Sequence, residues 1–228
     1  MMGRTMKYLC LALLLTSCCF VSKFSVVGEE PNKPRTLNNL EKQLVGSWIG
    51  GGPCVGNAIF QADGDFIFYG YGPGGGYREF GSWRIDSTQV PIRLTFQKDQ
   101  ASSDEPASEE CVELVVLNKD CLDYKYASGR IAEHRRGTDR DDFEIRLDVL
   151  DSAVQTYLGN IDLGGGSQLP TELQSLIQVK LLPERALKDS LGNIFQYDLA
   201  GKHHQGKKPD IWSKDKDGNV IGNWMFDN

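Results

Sequence analysis

Short apolar segments separated by turn residues fill the part of the chain between residues 44 and 136. The segments are 44–49, 58–61, 66–69, 81–86, 92–96, 112–117, 122–126 and 131–135. Between two of them lies Ala62-Asp63-Gly64-Asp65, in which the glycine supplies the positive φ of a tight hairpin turn. This spacing predicts an antiparallel meander of about seven or eight strands. We expect it to close as a barrel or a sandwich, because closure removes exposed strand edges.

Beyond the β region the apolar positions recur at the spacing of a helix. These positions are Leu147, Leu150, Val154 and Tyr157. Intervals of three and four place them on one helix face, and Gly159 ends the helix. A second short helix is predicted over 172–179 with Thr171 as its cap, followed by β-like segments at 194–197 and 210–213. The whole pattern predicts an α+β protein.

The N-terminal residues predict export. Arg4 and Lys7 precede an uncharged apolar run, 8–15, and Leu15-Thr16-Ser17-Cys18 follows. Small residues before a cysteine at the end of a short apolar run resemble a bacterial lipobox, so residues 1–17 are predicted to be a signal peptide and Cys18 to be lipidated. The alternative is a plain signal peptide that is cleaved further on, between residues 22 and 28.

These features predict four segments. Residues 1–17 are the signal peptide and 18–38, polar with two prolines, a tether. Residues 39–140 form the β domain and 141–228 a C-terminal domain, with a charge-balanced linker around Arg136 and Arg140. The protein is expected to be anchored on the periplasmic or extracellular side of a bacterial envelope, with the membrane and an envelope or secretion-system protein as partners.

The charge pattern and the few histidines argue against nucleic-acid binding and catalysis. The formal net charge is −6, and no basic stripe is interleaved with aromatic residues. His134 and the pair His203-His204 are the only histidines, and none lies in a hydrolase motif. We expect no enzyme activity, and we expect His203 and His204 to lie in an exposed loop.

Export makes one disulfide plausible among Cys54, Cys111 and Cys121. A tight turn at Asn118-Lys119 would pair Cys121 with Val116 and Cys111 with Tyr126, too far apart for Cys111 and Cys121 to bond to each other. Cys54 is then the partner of one of them. The alternative is that all three are buried and reduced.

Three motifs give the β segment a resemblance to the lipocalin-like domains of bacterial exported proteins. They are Leu44-Val45-Gly46-Ser47-Trp48, Phe60-Gln61-Ala62-Asp63-Gly64-Asp65-Phe66 and Gly81-Ser82-Trp83-Arg84-Ile85. The resemblance implies a small barrel whose interior either holds a small apolar ligand or is filled by side chains. We favour Trp48 and Trp83 as plugs of the barrel over a role in ligand binding.

The C-terminal third resembles the periplasmic domain of the major, G-type pseudopilin of type II secretion. The matching motifs are Ala153 to Tyr157, Pro170-Thr171 with Leu173 and Leu176, Asp189 to Tyr197, Asp210 to Gly218, and Asn223-Trp224. The resemblance implies a small α+β domain. It also implies a calcium loop, although Ser190, Leu191, Asp215 and Val220 depart from the family pattern.

The predicted calcium ligands lie in one polar loop. They are Ser213, Asp215, Asp217 and Asn219. Calcium binds about six to eight oxygens, and alternating carboxylate and amide side chains with a glycine at the bend supply such oxygens. The alternative is a solvated Asp-Gly turn, which the surrounding lysines favour.

The leading functional interpretation is a non-enzymatic exported lipoprotein that acts as an extracytoplasmic binding or assembly module related to type II secretion pseudopilin domains. The alternative is a lipocalin-like carrier of a small apolar ligand. A deep apolar cavity in the barrel would favour the carrier, whereas a filled barrel with an apolar patch on 143–228 would favour the assembly module.

Overall fold

The structure is a computed structural model that describes residues 35–52, 55–72, 75–99, 107–159 and 168–227. The predicted lipidation site Cys18, most of the tether and Cys54 lie outside these residues. Within them, no helix combines the length and the apolar character needed to cross a membrane.

Eight antiparallel strands close into a barrel, so a barrel and not a sandwich is the outcome. The strands are β1 (Gly46–Gly50), β2 (Asn57–Phe60), β3 (Asp65–Gly72), β4 (Gly75–Asp86), β5 (Arg93–Lys98), β6 (Ser108–Leu117), β7 (Cys121–Lys125) and β8 (Ile131–Arg136). Each strand pairs with the next, and β1 pairs with β8 to complete the closure. A short helix, α1 (Asn39–Leu44), precedes β1. It includes Leu44, which was predicted to begin the first strand. The side chain of Asn38 caps this helix in a capping box with Glu41.

The hairpin of β6 and β7 differs in register from the prediction. Leu117 pairs with Leu122 across the turn, which places Val116 opposite Asp123, and a bulge follows between Leu114 and Val116. The expected pairing of Cys121 with Val116 is therefore wrong. The turn between Leu117 and Leu122 is held by the side chain of Asn118.

The two described cysteines are free and exposed, so the alternative of buried reduced thiols is wrong for them. Their neighbours Val112 and Leu122 are fully buried in the barrel. Because side chains alternate between the faces of a strand, Cys111 and Cys121 lie on the outer face. Cys111 pairs with Thr95 on β5, and the register of β6 with β7, in which Glu113 pairs with Lys125, does not place it opposite Tyr126 as predicted.

The C-terminal region packs one long helix against the outside of the barrel and a small sheet against that helix. The helices are α2 (Asp139–Gly159) and α3 (Gln174–Gln178), with 3₁₀ helices at Glu184–Leu187 and Asn223–Met225. The sheet contains β9 (Gln196–Asp198), β10 (Asp210–Lys214) and β11 (Val220–Gly222), with β10 in the centre. Helix α2 confirms the predicted helical spacing. The cap predicted at Thr171 is wrong, because α3 begins later and its cap residue, Leu173, makes no side-chain hydrogen bond.

The barrel and the C-terminal region share an apolar core. Ile59, Ile67 and Tyr69 on the outer face of the barrel pack with buried residues of α2 such as Leu150 and Val154. This cluster is distinct from the one inside the barrel. The predicted boundary near residue 140 therefore marks a change of architecture, while the packing continues across it.

Two loops of the C-terminal region share one geometry, Asp-x-x-Gly-Asn. In the first, Asp189 accepts hydrogen bonds from the backbone and the side chain of Asn193, and Gly192 has φ +84°. In the second, Asp215 and Asn219 make the same contacts, and Gly218 has φ +83°. Each loop therefore closes on its own carboxylate.

Candidate ligand site at the open end of the barrel

One end of the barrel is closed by Trp48 and Arg136. Trp48 is fully buried, and its indole Nε1 donates a hydrogen bond to the carbonyl oxygen of Leu44 at 2.7 Å. The guanidinium of Arg136 lies 3.8 Å from the centre of the Trp48 ring and donates to the carbonyl oxygen of Val45 at 2.7 Å. It also donates to the carbonyl oxygens of Gln43 and Lys119. Burial lowers the pKa of Arg136, with a smaller opposing effect of Asp120.

The backbone conformation and the close packing at position 46 explain why the Gly46-Ser47-Trp48 motif begins with glycine. Gly46 has φ +125°, a region that side chains rarely adopt. A Cβ at this position would also lie 2.8 Å from a guanidinium nitrogen of Arg136. Arg136 was predicted to lie in a solvated linker, and this is wrong because it caps the barrel instead.

A second arginine and a second tryptophan repeat this arrangement. Arg35 lies 4.6 Å from the centre of the Trp83 ring and donates to the carbonyl oxygen of Trp83 at 2.8 Å. It also forms an ion pair with Glu41 of α1. Trp48 and Trp83 therefore act as plugs of the barrel, which agrees with the favoured prediction.

The middle of the barrel is filled with aromatic rings. Phe60, Phe66, Phe68 and Phe96 lie with ring centres 5.4–6.2 Å apart, mostly edge to face. These are the separations of favourable aromatic pairs. The deep interior of the barrel is therefore a packed core of aromatic rings.

The opposite end holds a cavity of about 230 Å³. Its lining comes from the start of β4, β6 and β8, the end of β5 and β7, and neighbouring residues. The lining residues are Val55, Gly56, Phe68, Tyr77, Glu79, Phe96, Lys98, Glu110, Tyr124, Tyr126, Arg130 and Ala132. Phe68 and Phe96 form its floor where it meets the aromatic core. The walls are mostly tyrosines and charged side chains.

Three charged residues from adjacent strands meet in this cavity. The ammonium of Lys98 lies 2.9 Å from a carboxylate oxygen of Glu79 and 2.9 Å from one of Glu110. Burial lowers the pKa of Lys98, but hydrogen bonds and attraction from both carboxylates outweigh this effect and raise it overall. Lys98 is therefore a permanent cation held between two carboxylates.

Tyrosine rings surround the charged group. The ring centres of Tyr124 and Tyr126 lie 5.5 Å apart. The guanidinium of Arg130 lies 4.5 Å from the centre of the Tyr126 ring. Tyr77 projects from β4 and is 41% exposed. It lies opposite Gly70, where a Cβ would meet its ring at 2.6 Å. Burial and the charge of Glu79 raise the pKa of Tyr77, so it stays protonated near neutral pH.

His134 lies inside the barrel beneath the cavity. Its ring stacks on Tyr124 with centres 5.3 Å apart, and its Nε2 lies 3.2 Å from the carbonyl oxygen of Gly56. A carbonyl only accepts, so Nε2 carries the proton. Among the described residues Nδ1 is buried without a hydrogen-bond partner, and burial lowers the pKa of His134 against the smaller opposing effects of the backbone at Leu122 and Gly56. The ring is therefore neutral near pH 7.

Two of the predicted calcium ligands, Ser213 and Asp215, make hydrogen bonds within the protein. The hydroxyl of Ser213 donates to buried Asp189 at 2.6 Å, away from the loop. Asp215 accepts hydrogen bonds from the backbone of Asp217 and from Asn219 within its own turn. In the part of the chain that the structure describes, no group of three or more His, Cys, Asp or Glu residues is arranged to hold a metal ion.

The prediction of an exposed loop is confirmed for His203, which is exposed in a turn, and is wrong for His204. His204 is buried, and its ring nitrogens lie 2.7 Å from Asp210 and 2.8 Å from Asp227. His203 stacks on Trp224 with ring centres 3.9 Å apart. The loop folds back because His204 contacts Asp210 of β10 and Asp227 of the C-terminal segment. Local sequence does not reveal these contacts.

A groove of about 520 Å³ lies on the C-terminal region. Its apolar lining includes Phe143, Leu191, Ile221, Met225 and Phe226, with charged residues at its edges. Leu191 and Met225 are about half exposed. Nothing in the structure indicates what covers this surface.

Two solved structures are similar to part of the chain. One is a lipocalin-like protein from Bacteroides uniformis ATCC 8492, with a TM-score of 0.34 and 15% identity, covering 42% of this chain and 99% of that one. The other is an uncharacterized protein from Bacteroides eggerthii DSM 20697, with a TM-score of 0.30 and 14% identity, covering 41% and 99%. No protein family and no curated protein matches the sequence. Neither structure supports the pseudopilin resemblance, and the barrel assignment rests on the strand pairing itself.

Sequence reasoning missed the charged group of the cavity. Glu79 and Lys98 lie 19 positions apart in sequence, and Glu110 follows Lys98 after a polar loop. Only the register of the strands brings the three side chains together. One signal was present, because all three interrupt the apolar face of a strand at inward positions. A charged residue in such a position indicates either a barrel end or a site.

Proposed function

We propose that the protein is a non-enzymatic, lipocalin-like binding protein that carries a small ligand at the open end of its barrel. The observation that supports this proposal is the cavity of about 230 Å³, which combines a packed floor with convergent polar groups. Concave sites with a few placed polar side chains are the usual form of small-molecule sites.

The proposed ligand is polar rather than apolar, and this changes the carrier expected from the sequence. A deep apolar cavity would have favoured an apolar ligand, but the phenylalanine rings occupy that space. The remaining cavity presents Glu79, Lys98, Glu110 and tyrosine hydroxyls. Burying an apolar molecule against these groups would remove water from the carboxylate oxygens that Lys98 does not contact, which is costly.

The assembly-module interpretation has less support, although the filled barrel and the apolar groove on the C-terminal region are the features expected of it. It depended on the pseudopilin resemblance, and neither similar structure is described as a pseudopilin. Export and a lipid anchor at Cys18 remain part of the proposal on sequence grounds. In this proposal the carrier lies on the outer side of the cytoplasmic membrane, tethered by the segment before residue 39.

Filling the cavity tests the proposed function. Ala132 is buried and lines the cavity, so Ala132→Phe should occupy the ligand's volume. Native mass spectrometry of the protein extracted from its host membrane should show a bound small molecule that the variant lacks. Ala127→Phe, in the exposed turn after β7, is the matched control and should retain the ligand. The proposal is wrong if Ala132→Phe folds and retains the same bound mass.

Calcium at the loop of Asp215 remains a proposal from sequence. A ligand that binds only the folded state raises the melting temperature. Melts with millimolar calcium and with a chelator should therefore differ, and Asp217→Ala should remove the difference. The loop of Asp189 has the same geometry and serves as an internal comparison. Identical melts would leave the loop as a self-closed turn.

A further inference from the structure

The charged group of the cavity carries more negative than positive charge. Glu79 and Glu110 each direct one carboxylate oxygen, Oε2, to the same ammonium of Lys98 at 2.9 Å. Two carboxylates thus share one cation. Among the described residues, the second oxygen of each carboxylate has no hydrogen-bond or ion-pair partner.

The rings around this group favour a cation as well. The face of a tyrosine ring carries negative charge density and attracts cations. Tyr126 already holds one in this way, the guanidinium of Arg130 at 4.5 Å. Tyr77 lines the same cavity, is 41% exposed and has no cation over its face in the described residues, whereas Tyr124 is buried and stacks on His134. The site therefore offers both carboxylate oxygens and an aromatic face.

An anionic ligand fits this arrangement poorly. Lys98 is the cation inside the cavity, and two of its three hydrogens point at carboxylates. An anion that approached Lys98 would lie close to both carboxylates and be repelled by them. Arg130 lies at the exposed rim, where solvent weakens its attraction.

We infer that the cavity binds a small organic cation, an ammonium group on a short or ring-shaped apolar body. The ammonium contacts the free oxygens of Glu79 and Glu110, and the apolar body packs on the exposed ring of Tyr77. The remaining hydrogen of Lys98 is available to an acceptor on the ligand. This inference rests on the proposed function and specifies the chemical class of its ligand.

Three probes of one size separate the charge from the shape. Benzylamine, benzyl alcohol and benzoate share a ring and differ in charge, and each is titrated into the full-length protein while backbone resonances of the barrel are followed by NMR. Benzylamine should bind about tenfold more tightly than benzyl alcohol, the scale of one charge-assisted hydrogen bond. Benzoate should bind most weakly.

Two neighbouring glutamates provide a matched pair of variants. Glu110→Gln should weaken benzylamine binding about tenfold and leave benzyl alcohol almost unchanged. Glu109→Gln removes the same charge from the outer face, where Glu109 pairs with exposed Arg84, and should change neither. Lys98→Met should strengthen benzylamine binding, because the ammonium of the ligand no longer competes with Lys98 for the two carboxylates.

The outcomes distinguish the two proposals. If benzyl alcohol or benzoate binds in the cavity at least as tightly as benzylamine, the cation preference is overturned and the binding function stands. An equal loss of benzylamine affinity in Glu109→Gln and Glu110→Gln also overturns the preference. If none of the three probes shifts the resonances of the cavity, the inference is overturned, whereas the test with Ala132→Phe still decides the binding function.

Discussion

The two ends of the barrel use similar side chains for different purposes. At the closed end, Arg35 and Arg136 lie over tryptophan rings and donate to backbone carbonyl oxygens. At the open end, Lys98 lies among tyrosines and is held by two carboxylates. The closed end fills its space, whereas the open end leaves a cavity of about 230 Å³. Aromatic rings and cations thus stabilise one end and form a site at the other.

This difference separates stability from binding along the barrel axis. The tryptophan plugs lie at the closed end, and only Phe68 and Phe96 of the phenylalanine core also line the cavity. Side chains at the mouth can therefore differ among barrels of this kind without loss of the fold, in agreement with the general observation that function lies in sites placed on a stable framework. The comparison predicts large stability effects at the closed end and small ones at the open end.

Truncation of Trp48 should have the largest effect. Trp48 is fully buried, and burial of a tryptophan is commonly worth about 3–5 kcal/mol when it is replaced by alanine. Trp48→Ala should lower the free energy of unfolding by about this amount in urea denaturation. Trp224→Ala, which removes a partly exposed tryptophan of the C-terminal region, should cost less. A loss below about 1 kcal/mol for Trp48→Ala would contradict the assignment of this end as the stabilising one.

Removal of the cap should have an intermediate effect. Arg136→Met keeps the apolar stem but loses the contact with Trp48 and the bonds to three carbonyl oxygens. We expect a loss of about 2 kcal/mol in the free energy of unfolding. The adjacent Arg135 is exposed, and Arg135→Met should change stability by less than about 0.5 kcal/mol. Equal effects of the two variants would show that Arg136 does not act as a cap.

The closed end was more predictable from sequence than the open end. Gly46-Ser47-Trp48 is a local motif, and the turn Ala62-Asp63-Gly64-Asp65 alone indicates how the two strands beside it pair. Alternation then predicts which side chains face inward. These local signals sufficed for the barrel and for the tryptophan plugs.

The site at the open end depends on contacts between distant strands. Its lining comes from positions 55 to 132, and the bulge in β6 shifts the register that would be needed to place them. A bulge has no clear sequence signal here. The burial of His204 by Asp210 and Asp227 was unpredictable for the same reason, since neither carboxylate is adjacent to it in sequence.

The smallest predicted effect concerns His134, which makes the open half of the barrel sensitive to pH. Burial lowers its pKa in the folded state below the value of about 6.5 for an unfolded histidine. The unfolded chain then binds the proton more tightly. The stability that neutral His134 contributes is present above about pH 6.5 and is lost as the pH falls through the folded pKa. The arginines of the closed end do not titrate in this range.

Urea denaturation of the wild type and of His134→Gln at pH 7.5 and pH 5 measures this contribution. Glutamine keeps a donor for the carbonyl oxygen of Gly56 but binds no proton, so the variant should lose less stability on acidification than the wild type. Asp148 titrates in the same window with the opposite sign, because burial and Glu144 raise its pKa to about 6. Its effect is common to both proteins and cancels in the comparison. Equal losses in the two proteins would show that the open half contributes no pH dependence through His134, and the contrast between the two ends would then rest on packing and charge alone.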